Sequence, residues 1–213
     1  MEEERREEVV AAARASVERG LNRGTSGNVS ARLPSGEMLI TPSGVPYGRL
    51  ASDDLVRVEP DGTTRDARRP STEWPLHAAV YRGRPEAGAV VHAHPPFSTA
   101  LACLGREIPS FHYLVAAAGG DSIRCARYAT FGTPGLAETV LEALEDRRAC
   151  LMANHGMAAL GGSPAAALEL AELVETLAEA YWRALQVGEP ELLSEAEMRE
   201  VGDRLSDYGA GAG

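Results

Sequence analysis

The sequence predicts one α/β domain with a central, largely antiparallel sheet flanked by helices on both faces. Three observations carry that expectation. The chain has 213 residues, and no repeat, low-complexity linker or charge block divides it. Short strand-like runs, several of them hairpin-like, are bounded by turn residues. Longer amphipathic runs alternate with them, and such a mixture is stable when helices cover the faces of a sheet.

Taken in order, residues 3–19 read as an amphipathic helix closed by Gly20 as a C-cap. GLNRGTSGNVSAR is a small-residue loop running into a short strand, and MLITPSG is a strand ending in a turn. LVRVEP alternates as a strand does and stops at Asp61-Gly62. STEWPLHAAVY is a loop feeding a helix, with Pro75 tolerable only in its first turn. AVVHAHPP is a buried-type strand halted by Pro95 and Pro96, and PFSTALACL is a short helix. Residues 107–133 read as irregular and rich in turns. Residues 134–147 form a helix with Thr133 as N-cap. ACLMANHGMAAL reads as strand, tight turn at His155-Gly156, strand. Ser163 caps a long Ala/Leu/Glu helix reaching Val187, a last amphipathic helix starts near Ser194, and the YGAGAG tail reads as mobile.

Composition removes several function classes. Acids number 31 against 21 bases, a net charge of −10, whereas a phosphate-tracking nucleic-acid binder carries a basic surplus. Every base is arginine, so Schiff-base catalysis, a pyridoxal anchor and a Walker A lysine are excluded. Carbonyl chemistry on this chain needs an electron sink other than an iminium. Cys103, Cys125 and Cys150 are odd in number and lack a CxxC, which fits packed thiols in a reducing cytoplasm. No apolar run approaches the ~20 residues of a membrane span, and MEEERREE is not a signal peptide.

His92 and His94 stand two apart on one strand, so they share a face roughly 6–7 Å apart along the backbone. The following prolines put the pair at a strand end. His155 also sits at a strand end, beside Gly156. Three imidazoles with an open fourth position are the layout of a catalytic zinc site, although an isolated HxH also occurs without metal. Glu73 follows Ser71-Thr72 at the head of a helix, where a carboxylate either offsets the helix dipole or serves as a general acid/base. Three turns, Thr25-Ser26-Gly27-Asn28, Thr41-Pro42-Ser43-Gly44 and Ser71-Thr72, offer N–H groups and hydroxyls. Such turns either do ordinary turn work or cradle a phosphate without lysine. His77, one turn after Glu73, reads as structural.

The motifs GLNRGTSGNVSAR, ITPSGVPY, STEWPLH, AVVHAHPP, FHYLVAAAGG, RYATFGT and ANHG span residues 20–156. Together they resemble the class II aldolase/ribulose-5-phosphate 4-epimerase family, in particular its L-fuculose-1-phosphate aldolase branch. The resemblance implies one Zn2+ per subunit on His92, His94 and His155, with Glu73 as a catalytic acid/base that also approaches the metal when no substrate is bound. It implies phosphate and substrate contacts from Ser26, Gly27, Asn28, Ser43, Gly44, Ser71 and Thr72. Tyr113 then assists at the aldehyde end and Tyr208 is a lid over the site. The implied assembly is a C4 homotetramer with sites at subunit interfaces. The implied reaction is reversible cleavage of L-fuculose 1-phosphate, or a similar ketose 1-phosphate, to dihydroxyacetone phosphate and an aldehyde such as L-lactaldehyde, through a metal-stabilised enediolate. The alternatives on this scaffold are epimerisation of L-ribulose 5-phosphate and dehydration of methylthioribulose 1-phosphate. Asp121 and Arg124 depart from the neutral residues of that branch, and with His112 they are candidates for the aldehyde side.

Overall fold

A computed structural model describes residues 2–64 and 66–210, the side chains of 206–210 excepted. The elements are α1 (Glu2–Glu18), β1 (Asn28–Arg32), β2 (Met38–Ile40), β3 (Val56–Val58), α2 (Trp74–Gly83), β4 (Ala89–Ala93), α3 (Pro96–Cys103), β5 (Cys125–Ala126), α4 (Pro134–Ala143), β6 (Ala149–Met152), β7 (Gly156–Gly161), α5 (Pro164–Val187) and α6 (Glu195–Ala210). The strands form one sheet in the order β3-β2-β1-β4-β7-β6-β5. Every neighbouring pair is antiparallel except β5 with β6, which is parallel.

Strand alternation divides the core into two layers. Ala89, Val91 and Ala93 of β4, Leu151 of β6 and Met157 and Ala159 of β7 face α1, α3 and α5. Val90, Cys150, Met152, Ala158 and Leu160 face α2 and α4, where Leu76, Val80, Leu136 and Val140 meet them. Both faces of the central strands are therefore apolar, which is why AVVHA shows no polar alternation. The α5 helix buries Ala167, Ala171, Val174, Ala178 and Tyr181, an i, i+4, i+7 stripe. Its alanines let it approach closely: a Cβ added at Gly161 would meet the Ala167 nitrogen at 2.4 Å.

Local signals act as expected at several ends. The Thr133 and Ser163 side chains accept from the Leu136 and Ala166 N–H groups and cap α4 and α5. Gly20 follows α1 at φ +77°, a conformation glycine adopts without steric cost. Elsewhere the structure differs from the expectation. The segment 107–133 holds a 3-10 helix (Tyr113–Ala118) and the two-residue strand β5. Its order comes from long-range contacts: Ile108, Val115, Ala118 and Ile123 are buried in the core, Ile108 bridges Ile123, and two arginines tie its carbonyls down. Arg147 donates to Ser122 O at 2.9 Å and pairs with Asp121 at 2.6 Å, and Arg148 donates to Ala117 O at 2.5 Å. The α4 helix stops at Ala143, and the chain turns sharply through Asp146 at φ 55°. The α6 helix extends through Ala210, so 208–210 of the tail are helical in backbone, and 211–213 lie outside the described residues. Among the described residues, no helix is long and apolar enough to cross a membrane.

The cysteines give a direct check of the core. Burial and the neighbouring Cys125 push the Cys150 thiol up to about 12, and burial pushes Cys125 up to about 11. Cys103 is exposed at the end of α3. Because the thiolate is the reactive form, a thiol reagent at about pH 8 labels Cys103 first and reaches Cys150 only on unfolding. Equal labelling of Cys150 in the native protein would contradict the packing of β6.

Candidate active site

The site forms at one end of the sheet because of register. His92, near the end of β4, pairs with Asn28 at the start of β1 and with Ala158 of β7. The β6–β7 turn lies at the same end and carries His155. Asn154, just before it, holds φ 55°, and its N–H donates to Ala102 O at 3.0 Å, tying the turn to α3. An antiparallel bridge of Pro42 with Pro70, and the Ser71 N–H to Thr41 O bond at 3.0 Å, draw the 41–44 turn against the segment leading to Glu73. Glu73 occupies the N-cap position of α2 but makes no side-chain cap bond. Its carboxylate turns toward the histidines instead, so dipole compensation does not account for it.

The His92 ring is fully buried, and its Nδ1–H donates to Met157 O at 2.8 Å. That bond fixes the tautomer and leaves Nε2 facing the cluster. His92 Nε2 lies 3.0 Å from Glu73 Oε2 and 2.9 Å from His94 Nε2, and His155 Nε2 lies 3.3 Å from Glu73 Oε1. One ligand atom from each of Glu73, His92, His94 and His155 falls within 4.8 Å of the others. Glu73 Oε1 is buried and lacks a hydrogen-bond partner. Lone pairs this close repel unless positive charge stands between them, so the donor set fits a divalent cation.

The electrostatics agree. Burial favours the neutral carboxyl of Glu73, but His92, His155 and the Asn28 bond overcome it and hold the group well below the usual carboxylate range. Burial likewise opposes charge on His92, and the facing Glu73 carboxylate outweighs it, raising that imidazole. Burial and the charge of His92 pull His94 down to about 3 and His155 down to about 4. Near neutral pH the latter two are therefore unprotonated, the form a metal ligand needs, and His92 takes that form when a bound cation replaces the proton that Glu73 favours on it.

Beside this cluster opens a cleft of about 300 Å³. Ser26, Gly27, Asn28, Ser43, Gly44, Ser71, Thr72, Glu73, His94 and His155 all line it, together with Thr25, Pro42 and Phe131. His92 lies buried in the sheet end behind them. Among the described residues no arginine lines the cleft, so an anion there meets N–H and hydroxyl dipoles and any bound cation. Gly27 holds φ +71°, and a Cβ there would lie 2.4 Å from the Asn22 Oδ1. The same oxygen accepts from the His94 N–H at 3.2 Å, and Tyr47 donates to Gly27 O at 2.6 Å. Asn22 thus links the small-residue loop to the histidine strand. Gly27→Ala adds about 1–2 kcal/mol of left-handed strain to that collision. It is expected to lower Tm and raise KM for a phosphorylated substrate, readable by thermal unfolding and initial rates.

Other sequence candidates lie elsewhere. Tyr113 is half exposed on the 3-10 helix, stacked on His112 with ring centroids 4.8 Å apart, and does not line the cleft. His112 accepts from the Leu114 N–H at 3.2 Å, a local capping bond. Asp121 pairs with Arg147, and Arg124 donates to Glu145 O at 2.9 Å. Both pin the 113–126 segment to the α4–β6 turn, and neither lines the cleft. The Tyr208 side chain lies outside the described residues. Sequence reasoning missed Phe131, exposed at the cleft; an aromatic in the Gly/Thr turn of RYATFGT was the available signal.

A profile described as the Class II Aldolase and Adducin N-terminal domain matches residues 7–182. The chain belongs to the class II aldolase family. It is an enzyme, a metal-dependent aldehyde-lyase. Over 204 residues this aldolase is 51% identical to the 5-methylthioribulose-1-phosphate/5-deoxyribulose-1-phosphate aldolase of Rhodospirillum rubrum, covering 96% of this chain and 92% of that one. Over 191 residues it is 46% identical to the L-fuculose phosphate aldolase of Escherichia coli K12, covering 89% and 88% of the two chains. A solved L-fuculose 1-phosphate aldolase superposes with a TM-score of 0.92 at 36% identity, covering 95% of this chain and 96% of that one.

Proposed function

We propose that this aldolase reversibly cleaves a ketose 1-phosphate to dihydroxyacetone phosphate and a short aldehyde, with one Zn2+ per subunit on His92, His94 and His155. The observation that carries the reading is a single cleft in which the Glu73 carboxylate and a cluster of imidazoles adjoin three small-residue turns suited to a phosphate. When bound, the ion supplies Lewis acidity that offsets the negative charge left on the ketose fragment. This chain has no lysine, so an iminium is not available for that task.

The chain's own groups do the rest. The turns at 25–28, 43–44 and 71–72 hold the phosphate and fix the reacting carbons against Glu73. Glu73 moves the proton to and from the carbon that was bonded to the departing aldehyde. Its buried position beside Asn28 keeps the carboxylate directed into the cleft. Tyr113 exchanges a proton with the oxygen that becomes the aldehyde. Its exposure, away from its own chain's cleft, suits a C4 tetramer in which it serves a neighbouring copy's site. Light scattering tests that assembly: a tetramer mass supports it and a monomer mass opposes it. Closure by Tyr208 and a cytoplasmic location belong to the same reading.

The candidate substrates share the dihydroxyacetone phosphate half and differ beyond the broken bond. The 51% relative favours 5-deoxyribulose or 5-methylthioribulose 1-phosphate, while the 46% relative favours L-fuculose 1-phosphate. Phe131 gives the cleft an apolar wall for a methyl or methylthio end. The zinc-loaded protein should release dihydroxyacetone phosphate from all three, with the highest kcat/KM for a 5-substituted ribulose 1-phosphate and none after chelation. An epimer or a dehydrated diketone in place of dihydroxyacetone phosphate would move the assignment to the epimerase or dehydratase branch.

A further inference from the structure

We propose that His77 is a positioning residue for Glu73, acting through Asn28; this rests on the reading of Glu73 as the proton carrier. The two-residue spacing of β1 and the four-residue spacing of α2 bring the relevant groups into register. Asn28 and Ser30 point to the α2 face of the sheet about 6.6 Å apart along the strand. His77 and Tyr81 stand one turn apart on α2, about 6 Å along its axis. The two spacings match, so His77 meets both Asn28 and Ser30, and Tyr81 meets Ser30. All of these side chains are buried.

The direction of every hydrogen bond in this row follows from its end. Glu73 is an ionised carboxylate and can only accept. Asn28 lies with Nδ2 at 3.0 Å from Glu73 Oε2, so the amide N–H₂ faces Glu73 and Oδ1 faces away. Oδ1 only accepts, and its partner is His77 Nε2, which must therefore carry the proton. Full burial keeps His77 neutral, so Nδ1 is the acceptor and Ser30 Oγ, 2.6 Å away, donates to it. Ser30 Oγ in turn accepts from the Tyr81 hydroxyl at 2.7 Å. The row runs one way, from Tyr81 through Ser30, His77 and Asn28 to Glu73.

An asparagine amide is nearly symmetric in shape, and a 180° flip would turn its oxygen onto the carboxylate. The carboxylate repels that oxygen, and His77 Nε2–H opposes the flip from the other side, because after it two donors would face each other. Without His77, Glu73 loses a fixed N–H partner and its aim into the cleft. Mutation of a side chain that orients a metal-ligating group typically costs 10–100-fold in affinity or activity, and an effect of about that size is expected here.

The test uses the full-length, metal-loaded enzyme and two variants. His77→Phe keeps the ring volume and removes the donor; His77→Gln keeps an N–H near the position of Nε2. His77→Phe should lower kcat by roughly 10–100-fold with KM nearly unchanged, and His77→Gln should recover most of kcat. A packing role alone would lower Tm in both variants and leave kcat intact. Independently of activity and of variant folding, nitrogen NMR of the wild-type metal-free protein should show His77 as the neutral Nε2–H tautomer. An Nδ1–H tautomer, or a folded His77→Phe enzyme with wild-type kcat, overturns the inference. If His77→Phe is fully active while Glu73→Gln is not, the reading of Glu73 stands and only the positioning role falls.

Discussion

Glutamine in place of Glu73 is expected to lower the rate of aldol cleavage by about 10²–10⁴-fold, the usual contribution of a positioned general acid/base. The substitution is nearly isosteric, and its amide oxygen can still accept from Asn28 Nδ2, so the fold and the small-residue turns persist. The loss comes from chemistry: an amide carries no proton between carbon and base. The three imidazoles remain, so metal content stays near that of the wild type. Steady-state kcat together with metal analysis of the purified variant reads both outcomes. Unchanged turnover would remove Glu73 from the mechanism, and loss of metal with activity would make it chiefly a ligand.

Substitution of His92 has the second large effect, and two variants separate its causes. His92 lies between Glu73 and His94, and its Nδ1–H holds Met157 O. His92→Ala removes a ligand, opens a cavity and leaves that buried carbonyl without its donor, the last alone costing about 1–3 kcal/mol. Stability and metal content should fall together. His92→Asn can keep an N–H near the Nδ1 position and so preserve the bond to Met157 while still losing the ligand. It should melt near the Tm of the metal-free wild type, hold little metal and show background cleavage. A His92→Asn protein with full metal content would mean that the ion sits elsewhere.

The groups that carry these two effects were legible because their signals are local and sharp. A histidine pair halted by two prolines, an Asn-His-Gly turn and a Ser-Thr-Glu at a helix head each fix a position along the chain. Their convergence depends on the Asn28–His92 register and the Pro42–Pro70 bridge, which are long-range pairings. The row behind Glu73 was not legible for the same reason. His77 reads as structural until β1 is laid against α2, and only then does its Nε2 meet Asn28. Strand β5 was missed because two residues carry no period, and its pairing is with β6, more than twenty residues away. Asp121 and Arg124 stood out in sequence as departures near Tyr113. In space they bind Arg147 and Glu145 O, and a linear reading has no means of separating a loop that lines a cleft from one that braces it. Phe131 had the opposite fate: an exposed aromatic in a turn looks ordinary until the cleft behind it is seen.

The most direct measurement is a zinc titration of chelator-stripped protein, following dihydroxyacetone phosphate release from 5-deoxyribulose 1-phosphate, with His92→Asn in parallel. The stripped protein should give no release, added zinc a linear rise that ends at one ion per chain, and the variant no recovery. Full release from protein shown to be metal-free, or equal recovery in His92→Asn, would contradict the claim that Glu73, His92, His94 and His155 form the reacting centre.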